Sequence, residues 1–510
     1  MQISPRQLPP FSALYSDYLD SWAKVQSFYS QEYSLDAIAS FARKRGLPNR
    51  TNMDRLCSVL AEQQRGFGAG QTGVEKLSSG AVAVITGQQP GLFTGPLFSI
   101  LKALTALKLA RSLEQSGVRA VPVFWIAAED HDHAEIETAW VLNRDSGLCR
   151  ARVDLSDEVP SPVGWTHYRE DIRKVVADCM LCLPQSEFTP DVREILESCY
   201  KPGKSPVESF GSMMARVFTG TPLTFVDPLH PELKALAQPV LNEAVRRNSE
   251  IRAAVLRRGK TLSDAGYHQQ VKVDDNFTGL FAFRGQARQI LKPSEISSDF
   301  SLSPSALLRP VVQDSIFPTA AYIGGPAEVA YFAQAAPIYE TLDCPMPPIF
   351  PRISATILEP RIGRTMEKYG IEFLDVLKGR EFLKSKCVSA VHDVESFSRV
   401  RGNIEQELES LRGILGSMDT TLLGALDTSR QKAIFQVESL RTRFIHATVR
   451  RNTTMELHLD AMGNSLFPEK KFQERMINVT SFLVRYGQAI IGSLDESLSL
   501  DSRQHQLVEI

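Results

Sequence analysis

Glu129-Asp130-His131-Asp132-His133 stands directly after an apolar run, with Glu135 and Glu137 close behind. Ionisable groups in such a place are costly to bury without partners or a task. The cluster suits general acid–base work, a divalent cation, or capture of an ammonium group. His131 is the candidate general base, because an imidazole titrates near neutrality. Asp130 and Asp132 are its candidate catalytic partners, and Glu129 a candidate substrate contact. A solvated loop with Asp132 capping the next helix would explain the same residues without catalysis. The spacing matches no dedicated zinc site, and no metal centre is expected.

A second candidate is the turn TGQQPGLFTGP at 86–96, followed by Lys102. Gly87, Gly91 and Gly95 would let backbone N–H groups approach an anion, and a helix N-terminus would add its dipole. Thr94 offers a hydroxyl, and Gln88 and Gln89 offer amides. Lys102 would meet anionic groups, or equally pack along its helix. Neither G-x-x-x-x-G-K-[ST] nor G-x-G-x-x-G is present. A packed strand-to-helix turn is the structural alternative. A third candidate is Tyr322, Gly324, Gly325, Glu328, Tyr331 and Gln334, where Glu328 and Tyr331 share a helix face; a packed helix beginning with a strained turn is its structural alternative. Arg352 follows a strand-like run and could meet an anion or the surface. Cys179 and Cys182 form a single CxxC in a helical stretch, without a second pair, and read as structural.

These residues need elements to hold them. The β-branched run 82–86 predicts a buried strand. Pro96 opens a helix over 97–115, with Gly117 at its end. The run 121–127 predicts a second strand. Strand, loop, helix and strand at this length predict a βαβ unit in a parallel sheet with a right-handed crossover. Ligands bind beyond the carboxyl ends of such strands, where both polar segments lie. Residues 318–334 repeat this grammar, with Pro326 opening a helix. Residues 11–66 read as helical, 67–80 as a loop, 235–260 as helical and 270–284 as strands. From 391 the apolar series Ile404, Leu408, Leu411, Leu415, Met418, Leu422 and Ala433, Val437, Leu440, Phe444, Ala447 predict an antiparallel helical hairpin. Its break is expected at 424–427.

The 510 residues exceed one ordinary core. Hydrophobic residues make up 43% and charged residues 23%, an ordinary globular balance that excludes general disorder. A net charge of −2 gives no global field for nucleic acid or anionic lipid. No run is long enough to cross a membrane as a helix, and the start does not resemble a signal peptide. Seven scattered cysteines do not form a secreted disulfide framework. The expected location is the cytoplasm. The expected fold is α/β, with core segments at 1–150 and 301–390, a connecting region at 151–300, a hairpin at 391–460 and a helical tail at 461–510.

The segments TGQQPGLFTGPLFSILKALTALKLA (86–110), VPVFWIAAEDHDHAEI (121–136), AYIGGPAEVAYFAQ (321–334), PPIFPRISATILE (347–359) and FPEKKFQERM (467–476) together resemble the bacillithiol biosynthesis cysteine-adding enzymes. The resemblance spans nearly the whole chain in the same order. It implies a Rossmann-like core similar to class I aminoacyl-tRNA synthetases, connecting-peptide insertions, and a coiled-coil hairpin that forms a homodimer. It also implies amide-bond formation between cysteine and glucosaminyl-malate. A cysteine carboxylate is a poor acyl donor, so ATP with magnesium is the expected activator. The synthetase HxGH and KMSKS sequences are absent here. The competing readings are a non-catalytic, nucleotide-responsive scaffold of the same pathway, and an acyl or nucleotidyl transferase acting on another amine.

Overall fold

Five short apolar runs form one parallel sheet, because strands covered on both faces must be apolar throughout. They are β1 (Val82–Gln88), β2 (Ala120–Ile126), β3 (Thr224–Val226), β4 (Thr319–Gly324) and β5 (Ile349–Pro351). Their order across the sheet is β5-β4-β1-β2-β3, and every pairing is parallel. The chain leaves β1 toward β2 on one side and returns through β4 on the other. The carboxyl ends of β1 and β4 therefore flank a topological switch point. The computed structural model describes residues 2–4, 7–8, 11–155, 161–297, 300–500 and 503–510. The Rossmann-like expectation holds.

Helix α1 (Phe98–Gln115) follows β1, and Gly117 ends it with φ +78°. Helix α2 (Pro326–Thr341) follows β4, with Gly325 as its cap and Pro326 in the first turn. Helix α2 begins where the sequence places it, whereas Pro96 bridges Asn478 and α1 begins two residues later. The stretch 67–80 differs from its reading as a loop, because Thr72–Ser78 is helical. Its glycine serves close packing: a Cβ at Gly73 would sit 2.0 Å from Thr224 Oγ1 and 2.4 Å from the Pro222 carbonyl.

The region 151–300 supplies the edge strand β3, whose three residues are too few to show a period. It also supplies five helices between Asp171 and Asp264. The strands expected over 270–284 begin at 280. Leu280–Arg284, Ala287–Ile290 and Leu302–Pro304 form a small antiparallel sheet.

The turn after β1 carries unusual backbone. Phe93 and Thr94 have φ of +53° and +75°. Bulky and β-branched residues hold such angles only where their surroundings over-determine them. Here Asn478 Nδ2 donates to the Phe93 and Gly95 carbonyls at 2.8 and 2.6 Å. The Thr94 N–H donates to Tyr200 Oη at 3.2 Å, and the Phe93 ring meets Tyr200 edge-on.

Two compact units divide the chain. The first comprises 1–144, 148–356 and 474–508, and the second 145–147, 357–473 and 509–510. In the second lie α3 (Glu395–Ser410) and α4 (Leu422–Arg451). Ion pairs join Arg412 to Asp427, Glu409 to Arg430 and Arg401 to Glu438, so the two arms run in opposite directions. The bend lies at 419–421 rather than 424–427. Asp419 Oδ1 accepts from Thr421 N there, an aspartate turn, whereas Gly424 continues the helix. The tail holds a strand that periodicity does not reveal, His505–Glu509.

Replacing Asn478 by Ala leaves two buried carbonyls without a donor. Urea unfolding should show a loss of about 1–3 kcal/mol. A variant as stable as its parent would mean that the turn holds itself.

Candidate active site

A cleft of about 950 Å³ opens at the carboxyl ends of all five strands. Gln88 and Gln89 reach it from β1, Glu129 from β2, Pro228 from β3, Gly325 from β4 and Arg352 from β5. Its volume suits small reactants and its position is the one the parallel sheet dictates.

The floor is charged. Lys102 Nζ lies 2.5 Å from Glu328 Oε2, with the two side chains only 4% and 16% exposed. The same ammonium donates to the Gly87 carbonyl at 2.6 Å and to Gln88 Oε1 at 3.0 Å. Glu328 also accepts from the Gly325 N–H at 2.8 Å and from Tyr322 Oη at 2.7 Å. Burial pulls the Lys102 ammonium below the ordinary lysine range, with Glu328 opposing it. Burial works to raise Glu328, but Lys102 and these hydrogen bonds outweigh it and hold the carboxyl below its usual range. Arg352 makes a second buried pair, 2.6 Å from Glu474, and donates its backbone N–H to the Gly324 carbonyl.

One wall is acidic. Gln89 Nε2 donates to Asp130 Oδ2 at 2.5 Å, and Asp130 Oδ1 accepts from the His131 N–H at 2.7 Å. Gln88 Nε2 donates to Glu135 at 3.2 Å. Burial, then the Asp130 and Asp132 charges, raise the Glu135 carboxyl. Glu129 is ion-paired with Lys234.

The cleft is also lined by Arg288 and Arg309, which the sequence reading missed. Arg288 bonds Ser303 Oγ and the Pro304 carbonyl, stacks 3.8 Å over Phe281, and lies 3.2 Å from His131 Nδ1. A guanidinium only donates, so Nδ1 accepts and the His131 proton sits on Nε2. Arg309 Nη2 donates to Tyr331 Oη at 2.7 Å, while its buried Nη1 has no hydrogen-bond partner among the described residues. Neither arginine makes an ion pair with a carboxylate among the described residues. Arg288 lies in a four-residue strand and Arg309 opens an eight-residue helix, elements too short to carry a clear periodic signal.

The predicted residues divide into three groups. Gly87, Gln88, Gln89, Lys102, Glu129, Asp130, His131, Gly325, Glu328, Tyr331 and Arg352 line the cleft together. Tyr322 and Gly324 stand behind them, tied to Glu328 and Arg352. Gly91, Thr94, Gly95 and Asp132 do not line it. A Cβ on Gly91 would sit 2.8 Å from the Gly95 Cα, and Thr94 is fully buried. Asp132 caps the short helix His133–Ile136, the structural role its sequence position also allowed. Cys179 and Cys182 lie in the helix Asp171–Cys182, and all seven thiols are free.

Lys102→Met should leave Glu328 buried and unpaired, at a cost of about 3–5 kcal/mol in thermal unfolding at neutral pH. Lys102→Met with Glu328→Gln should recover most of it. Because the folded carboxyl titrates below its ordinary value of 4.5, the pair's contribution is full above that pH and lost as the pH falls through the folded value. A parent protein whose stability is flat across that range would contradict the assignment.

Residues 1–301 and 296–353 match the family description "Bacillithiol biosynthesis BshC, N-terminal Rossmann-like domain", and residues 355–510 match "Bacillithiol biosynthesis BshC, C-terminal coiled-coil domain". Similar proteins named "Putative cysteine ligase BshC" occur in Koribacter versatilis, 33% identical over 99% of this chain and 98% of the relative. Those of Solibacter usitatus and Bacillus cereus are 32% and 27% identical, covering 99% and 98% of this chain and 98% of each relative. The sheet, the cleft and the helical hairpin all fall within these matches, and the chain belongs to the bacillithiol biosynthesis BshC family.

Proposed function

We propose that the cleft joins the carboxyl group of cysteine to the amine of glucosaminyl-malate, forming the amide bond of bacillithiol. The observation that carries this reading is the polarity of the cleft. An acidic cluster and two arginines that make no ion pair with a carboxylate among the described residues line one cleft, with a floor whose own charges are paired. The carboxylates suit an ammonium or amine, and the guanidinium groups suit the two carboxylates of a malyl group. The relatives' shared name, a cysteine ligase, supports the same reaction.

Asp130 holds the cysteine ammonium, and His131 removes the proton from the attacking amine. The lone pair on His131 Nδ1 is engaged by Arg288. A substrate carboxylate drawing Arg288 to itself would uncover that lone pair, so acceptor binding would prepare the base. Lys102 and Glu328 shape the floor and do not exchange protons with substrate.

ATP is the proposed activator, and magnesium would accompany its phosphates. Its chemistry would turn the cysteine carboxylate into a better acyl donor. The turn at 91–96 does not fit phosphate, because Gly91 and Gly95 close on each other and Thr94 is buried. Arg475 also lines the cleft and is a cation that would hold such a group.

We also place a homodimer on the hairpin. Ile414, Met418, Phe435 and Leu440 are 59–79% exposed along its arms, an apolar surface in need of a partner. No helix among the described residues is long and apolar enough to cross a membrane. A cytoplasmic location accords with this and with a biosynthetic role.

Mass spectrometry of the purified chain with cysteine, glucosaminyl-malate and magnesium, with and without ATP, tests the reaction. ATP-dependent bacillithiol is expected. No product under any condition would favour the scaffold reading. His131→Ala should lower turnover by about 100-fold or more with an unchanged circular dichroism spectrum. Unchanged turnover would remove His131 from the mechanism. Deleting 395–455 should give a monomer by light scattering, and a persistent dimer would place the interface elsewhere.

A further inference from the structure

The side-chain amide of Gln89 has an acceptor that the protein leaves unused. The residue is 9% exposed and lines the cleft. Its Nε2 donates to Asp130 Oδ2 at 2.5 Å, which fixes the orientation of the amide, since a carboxylate accepts. Oε1, on the same carbon and so beside that carboxylate, is buried and has no hydrogen-bond partner among the described residues. Native proteins rarely leave such an atom unpaired unless a ligand or water completes it.

Two neighbours point the same way. Glu135 lines the same wall, and among the described residues its carboxylate accepts a hydrogen bond only from Gln88. No lysine or arginine lies within ion-pair distance of Asp130 or Glu135 among the described residues. Lys102 and Lys234 are paired with Glu328 and Glu129, and the Arg288 guanidinium, bonded to His131 Nδ1, acts on Asp130 only from beyond ion-pair distance. Trp125, 2% exposed and also on the cleft, has a buried indole N–H without an acceptor. The wall thus offers oxygen acceptors from three residues and one donor.

We propose that Gln89 Oε1, Asp130 and Glu135 form a subsite for a primary ammonium group, with Trp125 Nε1 meeting an oxygen of the same molecule. A primary ammonium brings three donors, matching three acceptors, and an α-amino acid carries an oxygen close to its ammonium. Gln89 and Glu135 are then specificity-determining residues, which select an amino acid over an acid of similar size that lacks the amine. This rests on the reading of the cleft as the cysteine site.

Isothermal titration of the full chain with L-cysteine and with 3-mercaptopropionate separates the terms, since the second ligand keeps the thiol and carboxylate and lacks the ammonium. The parent should bind cysteine at least about tenfold more tightly. Gln89→Leu and Glu135→Gln should each erase most of that preference and leave 3-mercaptopropionate binding unchanged. Glu135 is exposed, so Glu135→Gln tests the subsite even if Gln89→Leu fails to fold. A preference retained in Glu135→Gln would overturn the subsite, as would equal weakening of both ligands. A magnesium-induced thermal shift lost in both variants, with the cysteine preference intact, would overturn it in favour of a metal cation. No binding of either ligand to the parent would instead sink the cysteine-site reading on which it rests.

Discussion

An ammonium group taken out of water must meet a negative charge and fill its three donor positions, or it destabilises whatever encloses it. Lys102 does so with Glu328, the Gly87 carbonyl and Gln88. Those partners come from both sides of the sheet's switch point. Lys102 stands on the helix after β1, and Glu328 on the helix after β4. Glu328 also caps its own helix through the Gly325 N–H. One carboxylate therefore sets the start of α2, anchors α1 and orients Tyr322. The cleft has its floor because this pair closes the gap that opposed crossovers leave in a parallel sheet.

A second tier of support comes from far along the chain. Glu474 neutralises Arg352, and its other oxygen accepts from the Ala355 N–H. His505 bonds both Ser354 and Thr356, and burial lowers its pKa to about 4. It is therefore a neutral structural group at physiological pH. The strained turn at Phe93–Thr94 is held in the same manner by Asn478. Glycines that look like a ligand cradle in the sequence instead let two backbone segments touch, and the cradle they would have formed is closed.

How much of this was legible depended on whether a signal was local. The βαβ unit, the Pro326 helix start and the antiparallel arms follow from periodicity, proline placement and apolar runs, all within short windows. The EDHDH cluster was visible because charge directly after a buried strand is rare. Arg288 and Arg309 were not visible. Each belongs to an element too short to show a period, and Arg288 reaches His131 across 157 positions. The role of Lys102 was undecidable from the sequence, since a helical lysine facing a cleft and one pairing beneath it have the same spacing. Thr94 and Asp132 illustrate the converse: residues with suitable chemistry that backbone conformation and capping had already committed.

The bond between Asn478 and the Phe93 carbonyl spans 385 positions. During synthesis at about 5–20 residues per second, the turn would leave the ribosome roughly 20–80 s before the amide that secures it. Until then two carbonyls lack their donor and Arg352 lacks its carboxylate. The central sheet therefore waits, incomplete, through most of translation. A nascent chain of this kind exposes apolar strands for longer than one whose contacts are local. Its yield in a cell should be governed as much by protection of the growing polypeptide as by the stability of the finished one.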